Sequence, residues 1–259
     1  MNRIEKLFSE KKKNILSIYC TAGYPHPYST AEVLKALQQY GADLVELGIP
    51  YSDPLADGPV IQESNMIALK NGMSIKKLFD QLKNLRAQNE AFHLPLILMG
   101  YLNPVMQYGL EKFCENAKAV GVDGIILPDL PLYEFETEYR KIFQRYELDF
   151  VFLVTPETSD ERIKKIDDLT SGFIYAVSSS STTGKDTDVY ARKNYFQKLQ
   201  QLNLKNPVLV GFGIRDKETF LAACEFTNGA IIGSAFIKAL HNSTDVNAAT
   251  KAFLNKVLN

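Results

Sequence analysis

Eight short apolar runs, separated by segments with a helical pattern, recur along the 259 residues of this chain. Most of the runs are continuous in Val, Ile, Leu or Phe, which is typical of parallel strands buried on both faces. The predicted strands lie near residues 15–20, 43–48, 95–100, 124–129, 150–154, 173–177, 207–213 and 229–234. A strand followed by a helix eight times is the pattern of a (β/α)8 barrel. We therefore expect an α/β fold in which residues 1–259 form a single TIM barrel.

The segments between the strands predict helices, and the N-terminal KLFSEKKK segment predicts an extra helix that closes the bottom of the barrel. The predicted helices cover residues 29–41, 73–90, 104–119, 132–146, 159–169, 188–203, 215–226 and 235–258, with a short additional helix after the second strand. The alternative is a doubly wound open sheet. No GxGxxG motif follows the first strand to support that alternative.

Composition excludes several classes of protein. The net charge is −1 and the basic residues are dispersed, which disfavours a nucleic-acid surface or a polybasic membrane patch. The three cysteines are far apart and lack CxxC spacing, which favours a reduced, cytoplasmic protein. No signal peptide is recognisable, and no apolar run reaches the roughly 20 residues of a membrane span. The three histidines lack metal-ligand spacing, so no metal is expected.

The second predicted strand carries a glutamate in an apolar run. Because side chains alternate along a strand, Glu46 faces the barrel axis if Val45 and Leu47 face the helices. At the carboxyl end of the strand, Glu46 would then lie in the mouth of the barrel, where desolvation raises the pKa of a carboxyl group. A raised pKa suits a group that gives and takes a proton near neutral pH. The alternative is an outward Glu46 in a surface salt bridge.

Two aspartates, Asp53 and Asp57, lie on the loop that follows this strand. Three prolines, Pro50, Pro54 and Pro59, restrict the backbone of the loop. Ser-Asp-Pro and Ala-Asp-Gly are also ordinary turn sequences, so each aspartate is as consistent with a turn as with catalysis. We expect one of the two to stabilise the loop and the other to point into the mouth.

Glycine-bearing turns end the last two predicted strands, at 211–213 and 233–234. In barrels of this type the corresponding loops often bind phosphate, because glycine lets backbone amides approach an anion closely. Tight turns without a ligand are the alternative. The hydroxyl-rich loop 178–188 is interpreted as a mobile lid, or alternatively as a surface loop. No lysine lies in the strand runs for a Schiff base, so the sequence points to a phosphate substrate handled by carboxylates.

The segment ELGIPYSDPLADGPVIQ, residues 46–62, resembles the signature of the tryptophan synthase alpha subunit family. Segments 19–25, 100–109, 127–134 and 211–216 also resemble this family in place and order, so that the resemblance covers nearly the whole chain. It implies a retro-aldol cleavage of indole-3-glycerol phosphate to indole and glyceraldehyde 3-phosphate, in tryptophan biosynthesis.

The resemblance also implies the roles of individual residues. Glu46 protonates the indole ring carbon that bears the side chain and takes the proton of the glycerol hydroxyl. Asp57, and not Asp53, pairs with the indole N–H and stabilises the positive charge on the ring. Tyr101 and Tyr175 border the substrate, whereas Gly184, Gly213, Gly233 and Ser234 bind its phosphate.

This sequence departs from the family in the loop after the sixth predicted strand. Where the family usually has Gly-Val-Thr-Gly, this chain has Ser181-Thr182-Thr183-Gly184. Thr183 keeps its place in the lid, but a serine in place of the first glycine would be strained if that position has positive φ. The resemblance therefore predicts intact chemistry with an altered lid.

The resemblance implies a partner as well. Alpha subunits dock on a separate beta subunit that carries pyridoxal phosphate, in an α2β2 heterotetramer through which indole passes between the active sites. The loops containing 53–60 and 101–109 would lie on the docking side, and no cofactor is expected for this chain itself. A stand-alone lyase and a non-catalytic regulator of a beta subunit are the alternatives. The presence of both Glu46 and Asp57 argues against the regulator.

Overall fold

A parallel, curled β-sheet organises the fold of this chain. The computed structural model describes residues 2–87, 92–177, 189–211 and 213–259. The strands are β1 Ile15–Thr21, β2 Leu44–Gly48, β3 Leu96–Met99, β4 Gly124–Ile126, β5 Asp149–Phe150, β6 Leu153–Val154, β7 Ile174–Val177, β8 Val208–Gly211 and β9 Gly229–Ile232. Their order in the sheet is β5-β4-β3-β2-β1-β9-β8-β7-β6, and every pair is parallel.

The two edges of this sheet belong to one continuous segment. Only Val151 and Phe152 separate β5 from β6. The Val151 amide donates to the carbonyl of Ile125 on β4 at 3.1 Å, and the Phe152 carbonyl accepts from the amide of Tyr175 on β7 at 2.9 Å. The fifth predicted strand is therefore one strand that changes partner, and the sheet closes with eight strand positions. The predicted TIM barrel is confirmed, and the sixth to eighth predicted strands correspond to β7, β8 and β9.

Helices follow the strands and cover the barrel. They are α1 Arg3–Glu10, α2 Thr30–Gln39, α3 Pro59–Lys70, α4 Ile75–Ala87, α5 Leu102–Tyr108, α6 Leu110–Ala119, α7 Leu132–Glu134, α8 Arg140–Arg145, α9 Asp160–Leu169, α10 Val189–Gln201, α11 Lys217–Phe226, α12 Ser234–Leu240 and α13 Val246–Leu258, with a π-helical turn at Phe135–Tyr139. No helix in these described ranges is both long and apolar enough to cross a membrane.

Two segments that were each predicted as one continuous helix form two helices in the structure, so these two predictions were wrong. The helix predicted at 104–119 is divided into α5 and α6 at Gly109, whose φ of 96° is incompatible with a continuous helix. The helix predicted at 235–258 is divided into α12 and α13, and the side chain of Asp245 begins the second by accepting from the amide of Ala248 at 2.8 Å.

Alternation along the strands separates the inside of the barrel from its wall. Leu44 belongs to an interior cluster, whereas Val45 and Leu47 belong to the core between strands and helices. The other members of this interior cluster on the strands or directly beside them are Ile15, Ile97, Ile126, Val151, Phe173, Tyr175, Val177, Leu209 and Ile231. Glu46 has the same parity as Leu44, so its side chain points inward as expected.

Helix α1 closes the amino-terminal end of the barrel, as predicted. Asn2 and Glu5 form a capping box that starts the helix. Ile4 is fully buried in the interior cluster, and the ring of Phe8 lies 6.0 Å from that of Phe173. Because this end is filled by apolar side chains, the carboxyl ends of the strands remain as the mouth.

The closing role of α1 can be tested by the substitution Ile4→Ala. Removal of a fully buried isoleucine should lower the free energy of unfolding by about 2–5 kcal/mol. Lys6→Ala on the exposed face of the same helix should change it by no more than about 0.5 kcal/mol. Urea denaturation of both variants measures the difference, and equal effects would show that α1 does not contribute through its buried face.

Candidate active site

Glu46 lies on β2 with a side chain that is 0% exposed. Its Oε1 accepts a hydrogen bond of 2.8 Å from the hydroxyl of Ser17 on β1, and its Oε2 is buried without a hydrogen-bond partner in the described part of the chain. Burial raises the pKa of Glu46 to about 8, although the hydrogen bond from Ser17 lowers it in part. The alternative of a surface salt bridge is therefore wrong, and Glu46 can hold a proton at neutral pH.

Asp57 is the aspartate of the loop that points inward. Asp57 is buried, with 8% of its surface exposed, whereas Asp53 lies on the surface. The amide of Asp57 donates to the carbonyl of Pro54 at 3.0 Å, and its carbonyl accepts from the side chain of Gln62 at 2.8 Å. Pro59 begins α3 directly after the loop. The backbone at Asp57 is thus held on both sides, by a turn before it and by a helix after it.

Tyr101, at the end of β3, holds the carboxyl group of Asp57. Its hydroxyl donates to Oδ2 of Asp57 at 3.1 Å and accepts from the amide of Ala56 at 3.0 Å. Burial raises the pKa of Asp57 to about 6, and the hydrogen bond from Tyr101 lowers it in part. The ring centroid of Tyr51 lies 5.3 Å from that of Tyr101. Tyr101 therefore positions Asp57 and also contributes an aromatic surface next to it.

Tyr175, on β7, is a third inward-facing polar residue of this region. It is 5% exposed, and it belongs to the interior cluster. Burial raises the pKa of its phenol well above the usual value, and the negative charges of Glu46 and Asp57 raise it further. Tyr175 is therefore a neutral phenol inside the barrel that feels both carboxyl groups.

Two glycines make room for the tyrosines of the mouth. A Cβ atom on Gly48 would lie 2.1 Å from the hydroxyl oxygen of Tyr19, and one on Gly211 would lie 2.2 Å from that of Tyr175. Any side chain at either position would displace a buried phenol. Tyr19 pairs with Glu46 in the register of β1 and β2, and burial raises its pKa well above the usual value, with Asp57 raising it further.

Sequence reasoning missed Ser17 and Tyr19. Together with Thr21 they occupy alternate positions of β1, and all three are buried. Polar atoms at every second position of an otherwise apolar strand were the available signal, because such positions share one face. What the sequence does not contain is the register that places Ser17 within reach of Glu46.

The predicted phosphate residues lie after β8 and β9, which are neighbours in the sheet. Gly213 has a φ of 78° and is exposed, Gly233 precedes α12 as its N-cap, and Ser234 is the exposed first residue of that helix. The two turns thus share one side of the mouth. Gly184 and the lid residue Thr183, with the departure at Ser181 and Thr182, lie outside the described residues.

Among the described residues, no group of three or more His, Cys, Asp or Glu side chains is arranged to hold a metal ion.

Comparisons with known proteins agree with this geometry. The sequence model of the family "Tryptophan synthase alpha chain" matches residues 5–258. The tryptophan synthase alpha chain of Parabacteroides distasonis is 53% identical over 253 residues, which cover 97% of each chain. The crystal structure of the alpha chain from Legionella pneumophila has a TM-score of 0.88 at 35% identity and covers 99% of this chain and 96% of that one.

The crystal structure of tryptophan synthase from M. tuberculosis in its aminoacrylate-bound form has a TM-score of 0.84 at 27% identity, and the match covers 99% of this chain and all of that one. The family model and the curated relatives span nearly the full length of the chain, and the barrel is shared with the solved structures. The chain therefore belongs to the tryptophan synthase alpha chain family, and it is a carbon–carbon lyase that cleaves indole-3-glycerol phosphate.

Proposed function

We propose that Glu46 and Asp57 carry out this cleavage, Glu46 as the acid and base and Asp57 as the stabilising anion. The observation that carries the proposal is the burial of both carboxyl groups at the carboxyl end of β2 and on the loop that follows it. Cleavage of the carbon–carbon bond needs an electron sink, which the indole ring supplies only when the ring carbon bearing the side chain is protonated. A pKa of about 8 keeps Glu46 protonated at neutral pH, as this first step requires.

The same carboxyl group completes the reaction. Once Glu46 has given its proton to the ring carbon, it is an anion and can take the proton of the glycerol hydroxyl. The carbon–carbon bond then breaks, its electron pair returns to the ring, and the hydroxyl-bearing carbon becomes the aldehyde of glyceraldehyde 3-phosphate. The protons balance, because Glu46 gives one proton to the ring carbon and takes one from the glycerol hydroxyl. Glu46 therefore ends in its starting protonation state.

Asp57 has the properties of the stabilising anion. Its pKa of about 6 leaves it ionised at neutral pH. The hydrogen bond from Tyr101 and the backbone hydrogen bond within the loop fix its position before substrate binds. An anion beside the ring nitrogen favours the positive charge that protonation creates, and a preorganised anion does so without reorganisation. We propose Asp53 as a residue of the loop surface.

The remaining contacts follow from the family resemblance. We propose that Tyr101 and Tyr175 border the indole ring, and that Gly213, Gly233 and Ser234 receive the phosphate together with Gly184 of the lid. Their support is the position of the two described turns beside each other at the mouth. In this proposal residues 1–259 form one catalytic domain, located in the cytoplasm.

Removal of either carboxylate should abolish most of the activity. We expect Glu46→Gln to lower kcat by about 10²–10⁴-fold and Asp57→Asn by about 10²–10³-fold, since each loses a proton carrier or a charge without losing volume. Asp53→Asn is the matched control, because it lies in the same loop but is exposed, and it should keep the wild-type rate. The assay is indole release from indole-3-glycerol phosphate, and unchanged turnover in Glu46→Gln would refute the assignment.

The pH dependence of the rate should be bell-shaped. Activity rises as Asp57 ionises near its pKa of about 6 and falls as Glu46 loses its proton near its pKa of about 8. The falling limb is the diagnostic one, because the second ionisation of a substrate phosphate also lies near pH 6. A kcat/KM profile, which reports ionisations of the free enzyme, that stays flat from pH 7 to 10 would contradict the role of Glu46 as the acid.

We also propose that this mouth docks on a beta subunit, in an α2β2 complex that passes indole between the two sites. Apolar side chains are exposed on the three segments that follow the neighbouring strands β2, β3 and β4. They are Leu55 on the loop after β2, at 82%, Met106 on α5, at 45%, and Tyr133 on α7, at 71%. Two of them belong to the predicted docking loops 53–60 and 101–109. A cluster of exposed apolar residues on one face is typical of a protein interface.

Docking can be tested at the centre of this face. Leu55→Asp places a charge in the proposed interface and should weaken binding of a beta subunit by about tenfold or more. Leu221→Asp is the matched control, because Leu221 is also exposed, at 47%, but lies on α11 of the outer wall. Isothermal titration calorimetry measures both affinities, and equal weakening by the two variants would place the interface elsewhere.

Stimulation of the lyase by a beta subunit separates the remaining alternatives. Slow indole release alone that rises strongly on addition of beta supports the alpha subunit under partner control. Fast release by the chain alone would support the stand-alone lyase, and no release in either assay would support the regulator.

A further inference from the structure

One hydrogen bond inside the barrel is not accounted for by the proposed function. The hydroxyl of Ser17 donates to Oε1 of Glu46 at 2.8 Å, and both residues are 0% exposed. In the register of β1 and β2, Glu46 pairs with Tyr19 and Ser17 pairs with Leu44. The side chain of Glu46 therefore reaches back by one inward position to meet Ser17, which lies deeper in the barrel.

We propose that Ser17 is a positioning residue for the acid and base: it holds Oε1 of Glu46 and leaves Oε2 as the oxygen that exchanges the proton with substrate. This inference rests on the proposed function, because it concerns the same carboxyl group. It adds a residue that does not touch the substrate and decides which of two oxygens reacts.

The hydrogen-bond partners of the carboxyl group support this division. Among the described residues, Ser17 is the one side chain that donates to Glu46, whereas Oε2 is buried without a partner. An unpaired buried oxygen is costly, and such costs are concentrated where a ligand completes the arrangement. A hydroxyl on a central strand is well suited to hold the other oxygen, because the strand backbone fixes its direction and both strands belong to the closed sheet.

The other titratable groups around Glu46 do not compete with this role. They are Tyr19, which pairs with Glu46 in the strand register, Cys20, the next residue of β1, and Tyr175 on β7. Burial raises the pKa of all three groups well above their usual values, so all three remain neutral. On β3 the residue paired with Glu46 is the apolar Ile97. Of the groups in this cluster, Glu46 is therefore the one expected to change its protonation state between pH 7 and 10.

The substitution Ser17→Ala removes the hydroxyl and little else. A donor stabilises the ionised form, so its loss should raise the pKa of Glu46 by about one unit. The falling limb of the kcat/KM profile should move to higher pH by the same amount. We further expect kcat to fall by about tenfold, because the carboxyl group loses its fixed orientation, while KM stays constant because Ser17 lies beneath Glu46 and away from substrate.

The protonation state of Glu46 can be measured directly by NMR, as well as through the pH dependence of the activity. Carbon-13 NMR of protein labelled at the glutamate carboxyl carbon follows the Glu46 resonance, which is assigned by its absence in Glu46→Gln. Wild type, Ser17→Ala and Ser17→Thr are titrated and assayed for indole release, with urea denaturation to establish that each is folded. Ser17→Thr keeps the hydroxyl and should restore both the wild-type titration and the falling limb.

Four results would be decisive. A raised Glu46 pKa with a lower kcat in Ser17→Ala, rescued in Ser17→Thr, supports the proposal. An unchanged Glu46 titration in Ser17→Ala overturns it, and so does an equal loss of kcat in Ser17→Ala and Ser17→Thr, since packing alone would then explain the effect. Wild-type turnover in Glu46→Gln would instead overturn the proposed function, and the NMR titration distinguishes that failure from a failure at Ser17.

Discussion

The chemistry proposed for this barrel depends on one physical constraint, the removal of the Glu46 carboxyl group from water. Glu46 is enclosed because β2 lies inside a closed sheet and because α1 fills the opposite end with Ile4 and Phe8. A carboxylate in such a place is penalised by lost hydration, and the penalty is what keeps it protonated near neutral pH. The apolar plug at the bottom and the acid at the mouth are therefore parts of one arrangement.

In the proposed mechanism, the two carboxyl groups take different roles because their surroundings differ. Glu46 has one hydroxyl donor and one unpaired oxygen, and its pKa is about 8. Asp57 lies nearer the surface and accepts from Tyr101, and its pKa is about 6. At pH 7 one is an acid and the other an anion. Environments that push two pKa values apart are the usual means by which two similar side chains take opposite roles.

The alternation of side chains along a strand predicted that Glu46 points inward, and the repeated strand–helix pattern predicted the barrel. Both features could be predicted because they depend on local sequence patterns alone. The change of partner at Val151 and Phe152 was not predictable, since the sequence reads as one uninterrupted strand. Nor was the division at Gly109, because glycine is tolerated inside helices and only its φ of 96° in this fold ends α5. Contacts between strands, such as Ser17 with Glu46, require a register that no single segment specifies.

Asp53 and Asp57 show most clearly where local information ends. Both lie on one proline-restricted loop in sequences that favour turns, yet one is exposed and the other buried. The difference comes from Tyr101 after β3, whose hydroxyl meets both the carboxyl group of Asp57 and the amide of Ala56. A residue from the neighbouring strand thus selects which aspartate enters the mouth. Residue roles at this site are set by the pairing of β1, β2 and β3, and the loop sequence supplies only the candidates.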